Sequence, residues 1–261
     1  RARVEALEHA LGTVLFTRSV NGLVPTMQAQ AVADAARAMA RASDAFVRAA
    51  SASPGEIAGT VRLSVSEIVG TEVLPPMLAD LRATHPRIVV ELSLSNASAD
   101  LLEQEVDIAV RMHPPRQEAL VAKKVGTIPL GLFAHADYLA RRGVPESPID
   151  LAKHDVVGPD RARADLKLVA ELLPGVSRDQ FVVRTDSHPA QLAHARAGVG
   201  IAVVQLPVGR ADPMLRRVLP ELEIAALETW VVTHEDLRNV PKVRALFDHL
   251  TISFGRYAGR G

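Results

Sequence analysis

The sequence predicts an α/β protein of several compact units: a helix and hairpin, then one long helix, then a domain of alternating strands and helices. Three observations carry this reading. Residues 60–111 run strand, helix, strand, helix, strand, a pattern that builds a mostly parallel sheet covered by helices. Val32, Met39 and Phe46 recur every seven residues inside an otherwise polar and alanine-rich stretch. The chain has 261 residues, more than one core usually serves.

Taken in order, residues 1–12 place Val4, Leu7 and Leu11 at helical spacing, and Gly12 is a C-terminal stop. Residues 14–16 and 23–25 are short extended pieces on either side of Val20-Asn21-Gly22, and Asn-Gly is a strong hairpin signal. Helix followed by tight hairpin is the C-terminal half of a winged helix. Arg1 and Arg3 on that helix and Arg18 on the hairpin are the candidate DNA contacts, positioned for phosphates or base edges. The chain starts at Arg1 within this helix, so further residues are expected upstream.

Residues 26–50 form the long helix. Ala35, Ala42 and Ala49 fall three positions after Val32, Met39 and Phe46, giving a narrow apolar seam suited to a second helix. Val32, Met39 and Phe46 are therefore the expected dimerisation residues. Ser51-Ala52-Ser53-Pro54-Gly55 is a hinge. Beyond it a strand is expected at 60–66, a helix at 70–84, a strand at 88–94, a short helix near 100–105 and a strand at 106–111. Consecutive extended runs follow at 121–126 and 128–134. A second unit then has helices at 135–142, 149–153, 165–173 and 189–197 and strands at 155–158, 181–186 and 201–205. A strand at 229–233 and an amphipathic helix at 241–254 close the domain.

Charge and composition exclude several classes. Thirty basic residues balance thirty acidic ones, so any nucleic-acid site is local. Cysteine is absent, which removes disulfides and thiol chemistry. No segment approaches the length of a membrane span, and none is expected. His234-Glu235 lacks a second His four positions on, and Gly198-Val199-Gly200 follows a helix instead of a strand, so neither a metalloprotease helix nor a dinucleotide loop is present. No catalytic residue, cofactor or metal is assigned.

What remains is recognition chemistry at strand-to-helix junctions, where backbone N–H groups and short polar side chains meet small polar ligands. Three junctions give the candidate ligand residues Ser66 and Glu67, Ser95 and Asn96, and Thr185 and Asp186. Arg111 ranks below them, being expected to form a structural ion pair. Glu67 and Asp186 also weigh against an anionic ligand.

The segment VEALEHALGTVLFTRSVNGLVPT resembles the end of the recognition helix, the wing and the linker start of LysR-type transcriptional regulators. LPPMLADLRATHPRIVVEL, VDIAVRM, LVAKKVG, AGVGIAVVQLP and WVVTHEDLRNVPKVRALFDHL extend the resemblance to about Phe254. Two departures stand out: Gln28-Ala29 where the family has Ala-Gly, and Glu105 where it has Gly. The resemblance implies part of a winged helix-turn-helix at 1–25, a dimerising linker helix at 26–53, and an effector domain at 54–261. That domain would be a type 2 periplasmic-binding-protein-like α/β fold, with subdomain I at 59–126 plus 232–254 and subdomain II at 127–231. It further implies promoter DNA as partner, a small effector (an organic acid among the classes) between the subdomains, a homodimer or homotetramer, and a cytoplasmic location. The alternative, a two-lobed solute-binding receptor, accounts for the second half of the chain but not for the wing or the seam.

Overall fold

The computed structural model describes residues 2–19, 22–50, 57–96, 106–115, 120–173, 175–222 and 224–260; the described residues up to 50 form one compact unit and those from 57 onward another. In the first, α1 (Ala2–Leu11) ends at Gly12, whose φ of 63° is left-handed. β1 (Phe16–Ser19) pairs antiparallel with β2 (Gly22–Pro25), Phe16 opposite Pro25 and Ser19 opposite Gly22. The first strand therefore starts later than the expected 14–16. The Glu8 carboxylate accepts the N–H groups of Leu15 at 2.7 Å and Phe16 at 3.0 Å, tying the entry to the hairpin back onto α1. Thr26 then caps α2 (Met27–Ala50), its Oγ1 accepting the Ala29 N–H at 3.2 Å. The hinge at 51–55 and the short helix near 100–105 lie outside the described residues.

The second unit begins with β3 (Gly59–Val65) and a π-turn, Val69–Val73, leading into α3 (Leu74–Thr84). The sequence suggests a single helix here. Pro75 and Pro76 lack N–H donors, so the α-helical ladder has to start with them in its first turn, after the wider turn. β4 (Ile88–Leu94) and β5 (Ile108–Arg111) flank β3 in parallel. The runs at 121–126 and 128–134 are one strand, β6 (Leu120–His135), sixteen residues long.

A second layer set follows: α4 (Ala136–Arg142), a 3-10 turn at Pro148–Lys153, β7 (Val156–Gly158), α5 (Arg163–Leu172), β8 (Phe181–Arg184), α6 (His188–Arg196) and β9 (Ala202–Gln205). α7 (Leu206–Ala211) and β10 (Leu215–Val218), absent from the sequence reading, come next. β11 (Ala226–His234) and α8 (Pro241–Ala258) return the chain to the first lobe.

The main sheet runs β10-β6-β11-β5-β3-β4, with β9 also on β6, and β7 pairs with β8 separately. It is mixed, not simply parallel. β6 and β11 run antiparallel from Leu120 opposite His234 to Pro129 opposite Ala226, and β6 then continues to pair with β9 and β10. These two strands are the crossing between a first lobe (β3–β5, α3, α8) and a second (β7–β10, α4–α7). One apolar cluster runs from Leu63, Ile108, Leu246 and Phe254 of the first lobe into Phe133, Leu192 and Val204 of the second, and a separate cluster within the second lobe gathers Leu132, Leu151, Phe181 and Ile201.

Two glycines test this packing in opposite directions. A Cβ on Gly200 would lie 2.4 Å from the Asp155 carbonyl oxygen, where Ile201 and Asp155 hydrogen-bond, and backbone cannot yield as a side chain can. Gly200→Ala should lower stability by about 1–3 kcal/mol in urea unfolding. On α8, a Cβ on Gly255 would meet only the Val125 carbonyl at 3.7 Å, so Gly255→Ala should raise it by up to about 1 kcal/mol.

Candidate functional site

The ends of β3, β4 and β5 in the first lobe face the wall of the second across a cavity of about 270 Å³. Its first-lobe side carries Ser66, Ser95, Asn96, Arg111 and His113. The second-lobe side is mostly aliphatic: Leu130 and Leu132 from β6, Val156 and Val157 from β7, Leu168 and Val169 from α5, then Leu173, Phe181, Val203 and Val204. Strands that end at a lobe boundary place their last side chains there, which is why such clefts hold ligands in open α/β sheets.

Ser66 Oγ is buried and has no hydrogen-bond partner among the described residues. Arg111, 9% exposed, lines the same cavity. Its Nη1 donates to the carbonyls of Ser64 at 3.4 Å and Val110 at 3.2 Å, and its Nη2 to Ser64 Oγ at 3.1 Å. All three acceptors are neutral. Among the described residues no carboxylate pairs with this guanidinium, so the expected structural ion pair is corrected, and burial alone pulls its pKa down from the ordinary value.

The other polar groups of the wall are already matched. His188 Nε2 lies 3.0 Å from Asp165 Oδ2, and that carboxylate raises the imidazole pKa against the opposing effect of burial. Gln191 Nε2 donates to the Thr185 carbonyl at 2.7 Å, and Gln205 Oε1 accepts the Tyr257 hydroxyl at 2.7 Å, joining β9 to α8 across the lobes. A second cross-lobe link is Ser187 Oγ to Glu67 Oε2 at 2.9 Å. A third is Arg196, held at 3.1 and 2.7 Å by Glu72 and at 2.6 Å by Asp212, which raise its pKa.

Of the six ligand residues expected from the sequence, Ser66, Ser95 and Asn96 line the cavity; Glu67, Thr185 and Asp186 do not. Glu67 donates its N–H to Asn96 Oδ1 at 3.1 Å, and its carboxylate accepts from the Ser187 hydroxyl. Thr185 Oγ1 accepts the Ser187 N–H at 3.2 Å. Asp186 accepts the N–H groups of Asp160, Arg161 and Ala162 at 2.8, 2.9 and 3.0 Å, capping the approach to α5, and those donors hold its carboxyl below the ordinary range. The sequence reading passed over Asp165, His188 and Gln205 as cavity residues. A usable signal was there for Gln205 and Arg111, each a long polar side chain ending an apolar strand.

In the first unit Arg3 and Arg18 are exposed, while Arg1 lies outside the described residues. Val32, Met39 and Phe46 are 41%, 75% and 74% exposed in the single chain, an apolar row uncovered by its own unit. No helix is long and apolar enough to cross a membrane, and no cluster of three potential metal ligands exists among the described residues.

Residues 54–254 match the family model described as the LysR substrate binding domain. An HTH-type transcriptional regulator of Haemophilus influenzae is 28% identical over 243 residues, covering 91% of this chain and 84% of that protein. An HTH-type transcriptional repressor of Pseudomonas aeruginosa is 29% identical over 208 residues, covering 76% and 64% respectively. In structure, the regulatory domain of CrgA from Neisseria meningitidis matches with a TM-score of 0.67 at 22% identity, over 76% of this chain and all of that one. Full-length AphB of Vibrio cholerae matches at 0.66 and 20% identity, over 96% of this chain and 87% of that one.

Asp186 provides a check on the division between ligand-facing and structural residues. Asp186→Ala should cost about 1 kcal/mol at neutral pH, the usual worth of a helix cap. Because the folded carboxyl titrates below its unfolded value, that difference from wild type is fully present above the ordinary carboxylate range. It should vanish as pH falls through the depressed folded value, as read by urea unfolding across pH.

Proposed function

The chain belongs to the LysR substrate-binding domain family, and on that premise we propose that it is a DNA-binding transcriptional regulator whose promoter binding or activation is set by a small molecule held between its two lobes. The observation that carries this reading is the lobe-boundary cavity, with the Ser66 hydroxyl and the Arg111 guanidinium, neither paired with a carboxylate among the described residues, at one end and a mostly aliphatic wall at the other. An organic acid is the effector class these groups suit. Ser66, Ser95 and Asn96 are the ligand-facing residues of this reading, with Arg111 added; Glu67, Thr185 and Asp186 support the frame around them.

At the other end of the chain, the exposed Arg3 and Arg18 are suited to phosphate contacts, Arg1 belongs with them by sequence, and the hairpin acts as a wing. The α2 row of Val32, Met39 and Phe46 is the dimer seam, and a partner helix laid on it would cover the exposed Met39 and Phe46. Such a dimer presents two reading heads to half-sites about one helical turn apart, and a pair of dimers gives the tetramer. Promoter DNA as partner places the protein in the cytoplasm. The receptor alternative leaves the α1-hairpin-α2 unit without a role, and no catalytic role is assigned.

A ligand shifts a regulator only through differential affinity for two arrangements, and a full switch needs roughly 5 kcal/mol. The cross-lobe contacts Glu67–Ser187, Glu72–Arg196 and Gln205–Tyr257 are the ones a change in lobe angle would strain or relieve.

Genome-wide footprinting of the full-length protein tests the reading. Discrete promoter sites with paired half-sites are expected, weakened about uniformly by Arg18→Ala; absence of any enriched site would overturn it. In a reporter driven by a footprinted promoter, Ser66→Ala combined with Asn96→Ala should abolish the response to growth conditions while DNA affinity stays near wild type. An unchanged response would remove these residues from the effector site.

A further inference from the structure

Resting on the effector-site reading above, we infer that the ligand is a monocarboxylate with a single uncharged apolar body, about a phenyl ring on a short alkyl link, and that a second charge on the ligand is rejected. The head group follows from Arg111. A buried guanidinium has five N–H donors, and among the described residues its contacts reach only the carbonyls of Ser64 and Val110 and the Ser64 hydroxyl. Cations buried this far are ordinarily paired, so an anion from outside is the missing partner. Ser66 Oγ, buried on the same wall and without a partner among the described residues, supplies one more donor to a carboxylate.

The nearby acids do not oppose such an anion. The Glu67 carboxylate is engaged by Ser187, that of Asp186 by three backbone N–H groups, and that of Asp165 by His188. Each is hydrogen-bonded within the protein, and all three raise the pKa of His188, whose protonated ring offsets part of the negative charge that weighed against an anionic ligand in the sequence.

The body of the ligand follows from the opposite wall. Leu132, Val156, Leu173 and Phe181 belong to the apolar cluster of the second lobe and also face the cavity, so the chamber opens directly onto a hydrophobic core. A second carboxylate or an ammonium placed against these side chains would lose its hydration with no partner among them, and His188 and Asp165 in the same cavity are already engaged with each other at 3.0 Å. Size limits the rest: a cavity of about 150 Å³ lined by Leu, Ile and Phe holds benzene, so 270 Å³ takes a ring, a short link and the carboxylate.

Calorimetric titration of the full-length protein with 3-phenylpropionate, 3-phenylpropionamide and succinate tests this. The acid should bind, its amide about 10- to 100-fold more weakly for loss of the charged hydrogen bonds, and succinate more weakly still. Amide binding equal to that of the acid would overturn the carboxylate head. Succinate binding tighter than 3-phenylpropionate would overturn the apolar body while leaving an anionic effector in place. Failure of all three to bind would overturn this ligand class, and the effector site itself is judged separately by the Ser66 and Asn96 reporter response. Val169→Phe, which fills the chamber from α5, should weaken 3-phenylpropionate at least tenfold, with Leu168→Phe as a second variant on the same wall should the first unfold. Undiminished affinity in either folded variant would contradict the placement.

Discussion

The rest of the effector domain depends on the antiparallel pairing of β6 with β11. β6 runs sixteen residues without interruption from one lobe to the other, and β11 returns beside it, their register broken only at Thr229/Trp230 opposite the Gly126 region. Two hydrogen-bonded strands resist stretching and shear but tolerate bending and twist. The lobes are thus joined so that their angle is the soft coordinate, and the cavity lies against the crossing, with Leu130, Leu132 and Leu227 contributed by the two strands themselves. A molecule seated there would touch both crossing strands and both lobes at once.

Two arginines show how charge is used around that crossing. Arg196 is chelated by Glu72 from the first lobe and Asp212 from the second, so it is a strut between lobes whose charge is cancelled. Arg111 is more deeply buried and, among the described residues, hydrogen-bonds only to neutral acceptors. A protein selected only for stability would not keep a buried charge unpaired when an apolar residue could fill the space. The contrast separates a residue that joins the lobes from one that the proposed function assigns to a ligand.

Much of the fold was legible in the sequence because its signals are local. Gly12 and Gly143 end helices, Thr26 caps α2, and alternation or apolar runs mark β3, β4 and β9. Other features depend on partners far along the chain. The join within β6 shows only as two apolar runs around Thr127, and pairing with β11 is what makes them one strand. α7 has six residues and β10 is Leu-Arg-Arg-Val, too short and too charged for either periodicity. The site divided along the same line. Polar residues at strand ends were visible, and Ser66, Ser95 and Asn96 do face the cavity. That Asp186 would be consumed by the N–H groups of residues 160–162, and Glu67 by Ser187, depends on tertiary neighbours that no spacing reveals. For the same reason the isolation of Arg111 was invisible: a missing partner can only be seen once every neighbour is in place.

The central claim is that Arg111 is retained for a ligand and not for the fold. Equilibrium unfolding in urea of Arg111→Met beside wild type, with no ligand added, measures this most directly. If the guanidinium is an uncompensated buried charge, its replacement should leave stability within about 1 kcal/mol of wild type or raise it. A loss of more than about 3 kcal/mol would instead identify it as a structural strut and contradict the account.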